Sequence, residues 1–185
     1  MNAAALKELY TRQASAMTRR PAFGRASGHA RVRLGAGLAC VVEQDGSVLL
    51  SDQPASEGGL DTGPHPGQLM RASLGACLAM GYRMWGARLD VAIDGVDVDL
   101  VCTYDARGQM GLSDGVAIGW ERITINVTIT SDAPADAVRR VVETADRLSP
   151  MLANLSPRIE RAHHLTITGT TADTTNQAPR PARGA

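Results

Sequence analysis

The chain has 185 residues, with 19 Lys and Arg against 19 Asp and Glu and an aromatic content of 3%. This length suits one domain with a substantial core, and balanced charge with few stacking side chains argues against a nucleic-acid partner. No apolar run reaches bilayer length, and "MNAAALKELYTRQASAMTRR" lacks the basic-then-apolar order of a secretory signal, so the expectation is a soluble cytoplasmic protein with no membrane partner. The cysteines, Cys40, Cys77 and Cys102, are widely spaced, with no CxxC and no Cys/His cluster. That spacing disfavours a disulfide scaffold or a zinc site, and no metal or cofactor is expected.

Taken in chain order, Leu6, Leu9, Tyr10, Ala14 and Met17 recur at helical spacing and predict an amphipathic helix ending near Arg19-Arg20-Pro21. A transit peptide is the rival reading, weakened by Glu8. From His29 to Ser51 the pattern alternates through "HARVRL", "GLACVVE" and "SVLLS", a meander of three strands. The Gly- and Pro-rich "DQPASEGGLDTGPHPG" feeds a helix of small residues around Cys77, with Pro64 and Pro66 suited to a helix start. "GVDVDLVCTYDARG" places Val96, Val98, Leu100, Cys102 and Tyr104 on one strand face, and "ERITINVTIT" does the same with Ile123, Ile125, Val127 and Ile129. Pro134 fits the first turn of a helix marked by Val138, Val141, Val142, Ala145 and Leu148, and Ser149-Pro150 reads as the cap and first turn of another helical piece. "HHLTITGT" supplies a last strand, and "TADTTNQAPRPARGA" has no periodicity to bury. The domain reading is an N-terminal helix over 1–22, one folded domain over 23–168, and a disordered tail over 169–185.

The order β-β-β-α-β-β-α-β predicts an α+β fold of antiparallel sheets covered by helices. In the helix around Cys77, Ala72, Ser73, Gly75, Ala76, Ala79 and Gly81 are too small to fill a core alone. Something must approach its backbone closely, and another helix, such as a second copy of itself, would serve.

The stretches "GGLDTGPHPGQLMRASLGACLAMGYRMWGARL", "IDGVDVDLVCTYDARGQMGL" and "ITINVTITSDAPADAVRRVVETADRLSPMLANL" resemble the OsmC/Ohr family of osmotically inducible and organic-hydroperoxide-resistance proteins, over roughly residues 29 to 168. The resemblance implies an intertwined homodimer with two such helices at its centre and active sites at the subunit interface. In the family's peroxidase members a Cys on this helix attacks a hydroperoxide, a second Cys before a Pro resolves the sulfenic acid, and an Arg and a Glu hold the first thiol ionised. Carried over by position, Cys77 matches the attacking thiol, while Ser149 stands at the resolving position and Gly67 at the Glu. Arg33 or Arg31 on the early meander matches the Arg, with Arg33 preferred, and Glu57 or Asp61 is a substitute carboxylate.

Each residue has a plainer reading. Cys77 is either a buried small hydrophobe or a nucleophile, Cys40 and Cys102 read as core, and Ser149 is a helix cap. His163 and His164 point to opposite strand faces and read as solvated, as do Arg71 and Arg83, and His65 reads as an exposed loop residue. Two functions remain. One is thiol-dependent reduction of organic hydroperoxides, with Cys77 as nucleophile, Arg33 as stabiliser, and a solution thiol, Cys40 or Cys102 as resolver. The other is noncatalytic binding of a small apolar molecule in an interface pocket lined by Met70, Ser73, Met84, Trp85 and Ser149.

Overall fold

The computed structural model describes residues 2–170. Its first helix, α1 (Ala3–Arg19), is capped by Asn2, whose side chain accepts from the Ala5 amide. None of its residues is buried; it lies along the end of a longer helix and is tied there by the Lys7–Asp90 ion pair.

Strands β1 (Ala30–Leu34), β2 (Cys40–Gln44) and β3 (Ser47–Ser51) form the expected antiparallel meander. Its register places Val32 opposite Val42 and Val42 opposite Leu49, a row of apolar side chains on one face. In the single chain that face is largely open, with Val32 57% and Leu34 58% exposed. Apolar surface of this kind on a small sheet is costly in water.

The loop after β3 is organised by one carboxylate. Asp52 is 2% exposed. Its Oδ1 accepts from the Gln53 amide, and its Oδ2 accepts from the Leu60 amide, the Thr62 amide and the Thr62 hydroxyl, at 2.8 to 3.2 Å. The turn is so tight that a Cβ on Gly59 would lie 1.8 Å from the Gln53 carbonyl oxygen.

This loop delivers the chain to α2 (Pro66–Arg88), 23 residues and about 35 Å long. Pro66 takes the first helical position, where a missing N–H costs nothing. His65 is the cap: its Nδ1 accepts from the Gly67 amide, and Gln68 Oε1 accepts from the His65 amide. His65 is therefore a structural cap rather than a free loop residue. At the far end, Gly86 lets the 89–94 loop close over the helix, since a Cβ there would lie 2.6 Å from Ile93 Cγ1.

The second sheet is β4 (Gly95–Tyr104), β5 (Trp120–Thr130) and β6 (Glu160–Thr168), with β5 central. The short α3 (Ala106–Gln109) lies between β4 and β5; α4 (Ala135–Arg147) and α5 (Pro150–Ala153) lie between β5 and β6. The α+β expectation holds, with one correction to its antiparallel sheets: β6 pairs parallel to β5. The helical connection carries the chain back to the starting end of β5, so the next strand must run the same way. Pro134 caps α4 from just outside rather than sitting in its first turn.

The core forms where α2 and α4 cover this sheet. Leu74, Leu78 and Tyr82, one turn apart on α2, are buried with Ile123, Ile125, Val127 and Ile129 of β5 and Val138, Val142 and Ala145 of α4. Each fully buried side chain of this size contributes roughly 1.5–3 kcal/mol. The tail expected to be disordered lies almost wholly outside the described residues. At its start Thr170 bonds to Asp132 through both its amide and its hydroxyl.

The Asp52 loop yields a pH prediction. Burial opposes ionisation of Asp52, but the Thr62 hydroxyl and the three amides outweigh it and hold the carboxyl below the usual carboxylate range. A folded-state value below the unfolded one gives stability that is present above the ordinary carboxylate range and lost as pH falls through the lowered value. In thermal melts, Asp52→Asn should unfold at a lower temperature than wild type at about pH 7, and the gap should narrow toward about pH 3.

Candidate active site

Cys77 sits midway along α2, one residue before the buried Leu78. A helix turns about 100° per residue, so its thiol falls at the border of the buried stripe, half-buried, facing the junction of α4 and α5. Its sulfur lies 3.8 Å from Ser149 Oγ.

Ser149 is 6% exposed and caps α5, its Oγ accepting from the Leu152 amide at 3.2 Å. Pro150 follows at the first helical position. The Ser149 hydroxyl still has its proton and a second lone pair for the sulfur, so either group can donate in this contact. One turn back on α2, Ser73 Oγ donates to Met151 Sδ at 3.9 Å. Cys77, Ser73, Ser149 and Met151 thus form one niche between α2 and the start of α5.

The remaining site candidates are not gathered there. Arg33 is turned to Glu43 on the next strand, with both terminal guanidinium nitrogens on the carboxylate. Met70, 45% exposed, lines a cleft of about 1010 Å³ whose other walls are residues 114–121 and 154–159. Met84 lies 14 residues further along the same helix, about 21 Å away, so within one chain the two methionines cannot line one small-molecule pocket. Trp85 packs against the core, with the Arg88 guanidinium 4.2 Å above its ring.

Several residues do more than their spacing suggested. Arg83 clamps the 89–94 loop, donating to the carbonyls of Ile93 (2.6 Å) and Asp94 (3.2 Å). Arg71 lines a second cleft, of about 280 Å³, at the start of α2 with His65, Gly67, Tyr104 and Trp120. A Cβ on Gly67 would lie 3.7 Å from its guanidinium. Burial pushes the Cys102 thiol up and the charge of Arg71 offsets only part of this; the residue packs against the core. His163 is not simply solvated: its Nδ1 lies 2.9 Å from Asp146 Oδ2, while Tyr82 donates to Asp146 Oδ1 at 2.8 Å. Burial, then the Asp146 charge, raises the Tyr82 phenol far above its ordinary range, so it remains a donor. The alternation of His163 with Leu165 and Ile167 was the available signal for an inward face.

Among the described residues no three metal-ligating side chains cluster, and no helix is long and apolar enough to cross a membrane. A family model described as OsmC-like protein matches residues 58–176. The chain belongs to the OsmC-like family. No curated protein matches the sequence. Solved structures share the fold at low identity. An OsmC-like protein from Mycoplasma pneumoniae is 13% identical, covering 77% of this chain and 98% of its own, with a TM-score of 0.67. An organic hydroperoxide resistance protein from Legionella pneumophila is 15% identical, covering 76% and 97%, at 0.59. One from Bacillus subtilis is 20% identical, covering 76% and 98%, at 0.52.

The Cys77–Ser149 approach makes a direct prediction for this OsmC-like chain. With Ser149 Oγ 3.8 Å from the Cys77 sulfur, a sulfur at position 149 would stand beside that of Cys77. Ser149→Cys should form an intramolecular disulfide with Cys77 in oxidised glutathione, read as the loss of two thiols and about 2 Da by intact mass.

Proposed function

We propose that this OsmC-like protein is a homodimeric, thiol-dependent reductase of organic hydroperoxides that uses Cys77 and a thiol from solution. The observation that carries the reading is the niche itself: a half-buried thiol on α2, opposite a hydroxyl that caps α5 and faces the sulfur. Family membership and neighbours described as hydroperoxide resistance proteins support it.

In the proposed reaction the Cys77 thiolate attacks the outer oxygen of ROOH. The O–O bond breaks, the sulfur becomes a sulfenic acid, and the alkoxide leaves as ROH after taking a proton. Ser149 offers no sulfur, so a solution thiol condenses with the sulfenic acid, releasing water and forming a mixed disulfide. A second thiol frees Cys77. Such reductants are abundant in the cytoplasm, the compartment this reading assigns.

Surfaces that one chain leaves open support the dimer. Ala72, Ser73, Ala76 and Met80 form an exposed line on α2, with Met80 65% exposed, and the Val32–Val42–Leu49 row lacks a cover. A second copy would cover both.

Two outcomes check the proposal. After a brief pulse of cumene hydroperoxide, intact mass should show one oxygen added at Cys77, advancing to two when no thiol is supplied, and none in Cys77→Ser. An unmodified Cys77 would instead favour the noncatalytic apolar-ligand reading. Light scattering at micromolar concentration should give twice the chain mass, and a stable folded monomer would sink the dimer.

A further inference from the structure

The function proposed above uses Cys77 and Ser149 but leaves unexplained three side chains that converge behind them. We infer that Arg161 and His163, on the inner face of β6, act with Tyr82 as a clamp on the α4–α5 hinge that sets Ser149 against the Cys77 sulfur. They are positioning residues, and none touches the thiol.

The hinge needs such a hold. Only Leu148 and Ser149 separate α4 from α5, and α5 spans four residues. One turn of helix is not stable by itself. Its internal ties are local: the Leu148 and Ser149 amides donate to the Thr144 and Asp146 carbonyls at 3.2 Å, and Ser149 Oγ caps α5. The ties that fix its direction come from neighbouring elements.

Register places Arg161 opposite Ile123 and His163 opposite Ile125, both buried β5 residues, so the two side chains share the helix-covered face of β6. They reach the two ends of the hinge region. His163 holds the last turn of α4 through Asp146 Oδ2, and Arg161 donates to the Leu152 carbonyl of α5 at 3.3 Å. Tyr82, fully buried on α2, holds the other Asp146 oxygen. Asp146 therefore joins the helix that carries Cys77 to the strand that flanks the hinge. Leu152 and Leu155 also anchor this region by burial. Apolar contact fixes depth but permits sliding, whereas bonds to both carboxylate oxygens fix direction.

The functional weight of the clamp rests on the thiol reading, but its test does not. In a Ser149→Cys protein that also carries Cys40→Ser and Cys102→Ser, the disulfide between Cys77 and the introduced thiol is equilibrated against glutathione: dithiol plus oxidised glutathione gives disulfide plus two reduced glutathiones. The effective concentration so obtained reports how well the two sulfurs are held together. A substitution that weakens the reduced and oxidised folded forms equally leaves it unmoved. Tyr82→Phe, Arg161→Met and His163→Phe should each lower it about tenfold or more, a loss comparable to removing one charge-assisted hydrogen bond. His164→Ala, on the outer face of the same strand, should leave it unchanged. Should His163→Phe fail to fold by circular dichroism, the other two variants carry the test. Values within about twofold of the parent in the folded variants would overturn the clamp, as would a parent protein that forms no disulfide.

Discussion

The seating of α2 on the β4–β5–β6 sheet is the constraint from which the rest of the site follows. Leu74, Leu78 and Tyr82 occupy one stripe of the helix and are almost wholly removed from water. Once that stripe is fixed, helical geometry leaves no freedom for the others. Cys77 must stand at its edge, beside the α4–α5 hinge. Ala72, Ser73, Ala76 and Met80 must face outward. The thiol's surroundings are thus a consequence of core packing, set by residues that take no part in chemistry.

The same constraint divides the proposed site between what one chain supplies and what it does not. A single chain offers the sulfur and a hydroxyl at 3.8 Å. It turns Arg33 toward Glu43, and it places Arg71 near Cys102, where burial still dominates. The proposed dimer would cover the apolar row of β1–β3 that one chain leaves open. In the proposed reaction, serine at position 149 keeps the helix cap but moves resolution of the sulfenic acid to an external thiol.

Much of this was legible in the sequence. Strict alternation gave the inner faces of β4 and β5, Pro66 and Ser149-Pro150 marked the two helix starts, and the small residues on α2 announced an unfilled face. What stayed hidden was long-range. An alternating pattern carries no strand direction, so the parallel β6 was not visible. Alternation put His163 with Leu165 and Ile167, yet its partner Asp146 lies on another helix and only the fold brings the two together. Arg71 and Arg83 looked like solvated helix positions because the loops they meet close back over α2 from elsewhere. Met70 shares an apolar character with Met84 and Trp85 but not a location, since helical rise separates it from them by several turns.

The central claim is that Cys77, alone among the three cysteines, turns over hydroperoxide at the expense of a solution thiol. Steady-state consumption of an organic hydroperoxide with and without added dithiol, in Cys77→Ser and in the Cys40→Ser, Cys102→Ser double variant, tests it most directly. The account predicts consumption that needs the thiol, persists in the double variant and disappears in Cys77→Ser. Consumption that survives in Cys77→Ser would contradict it.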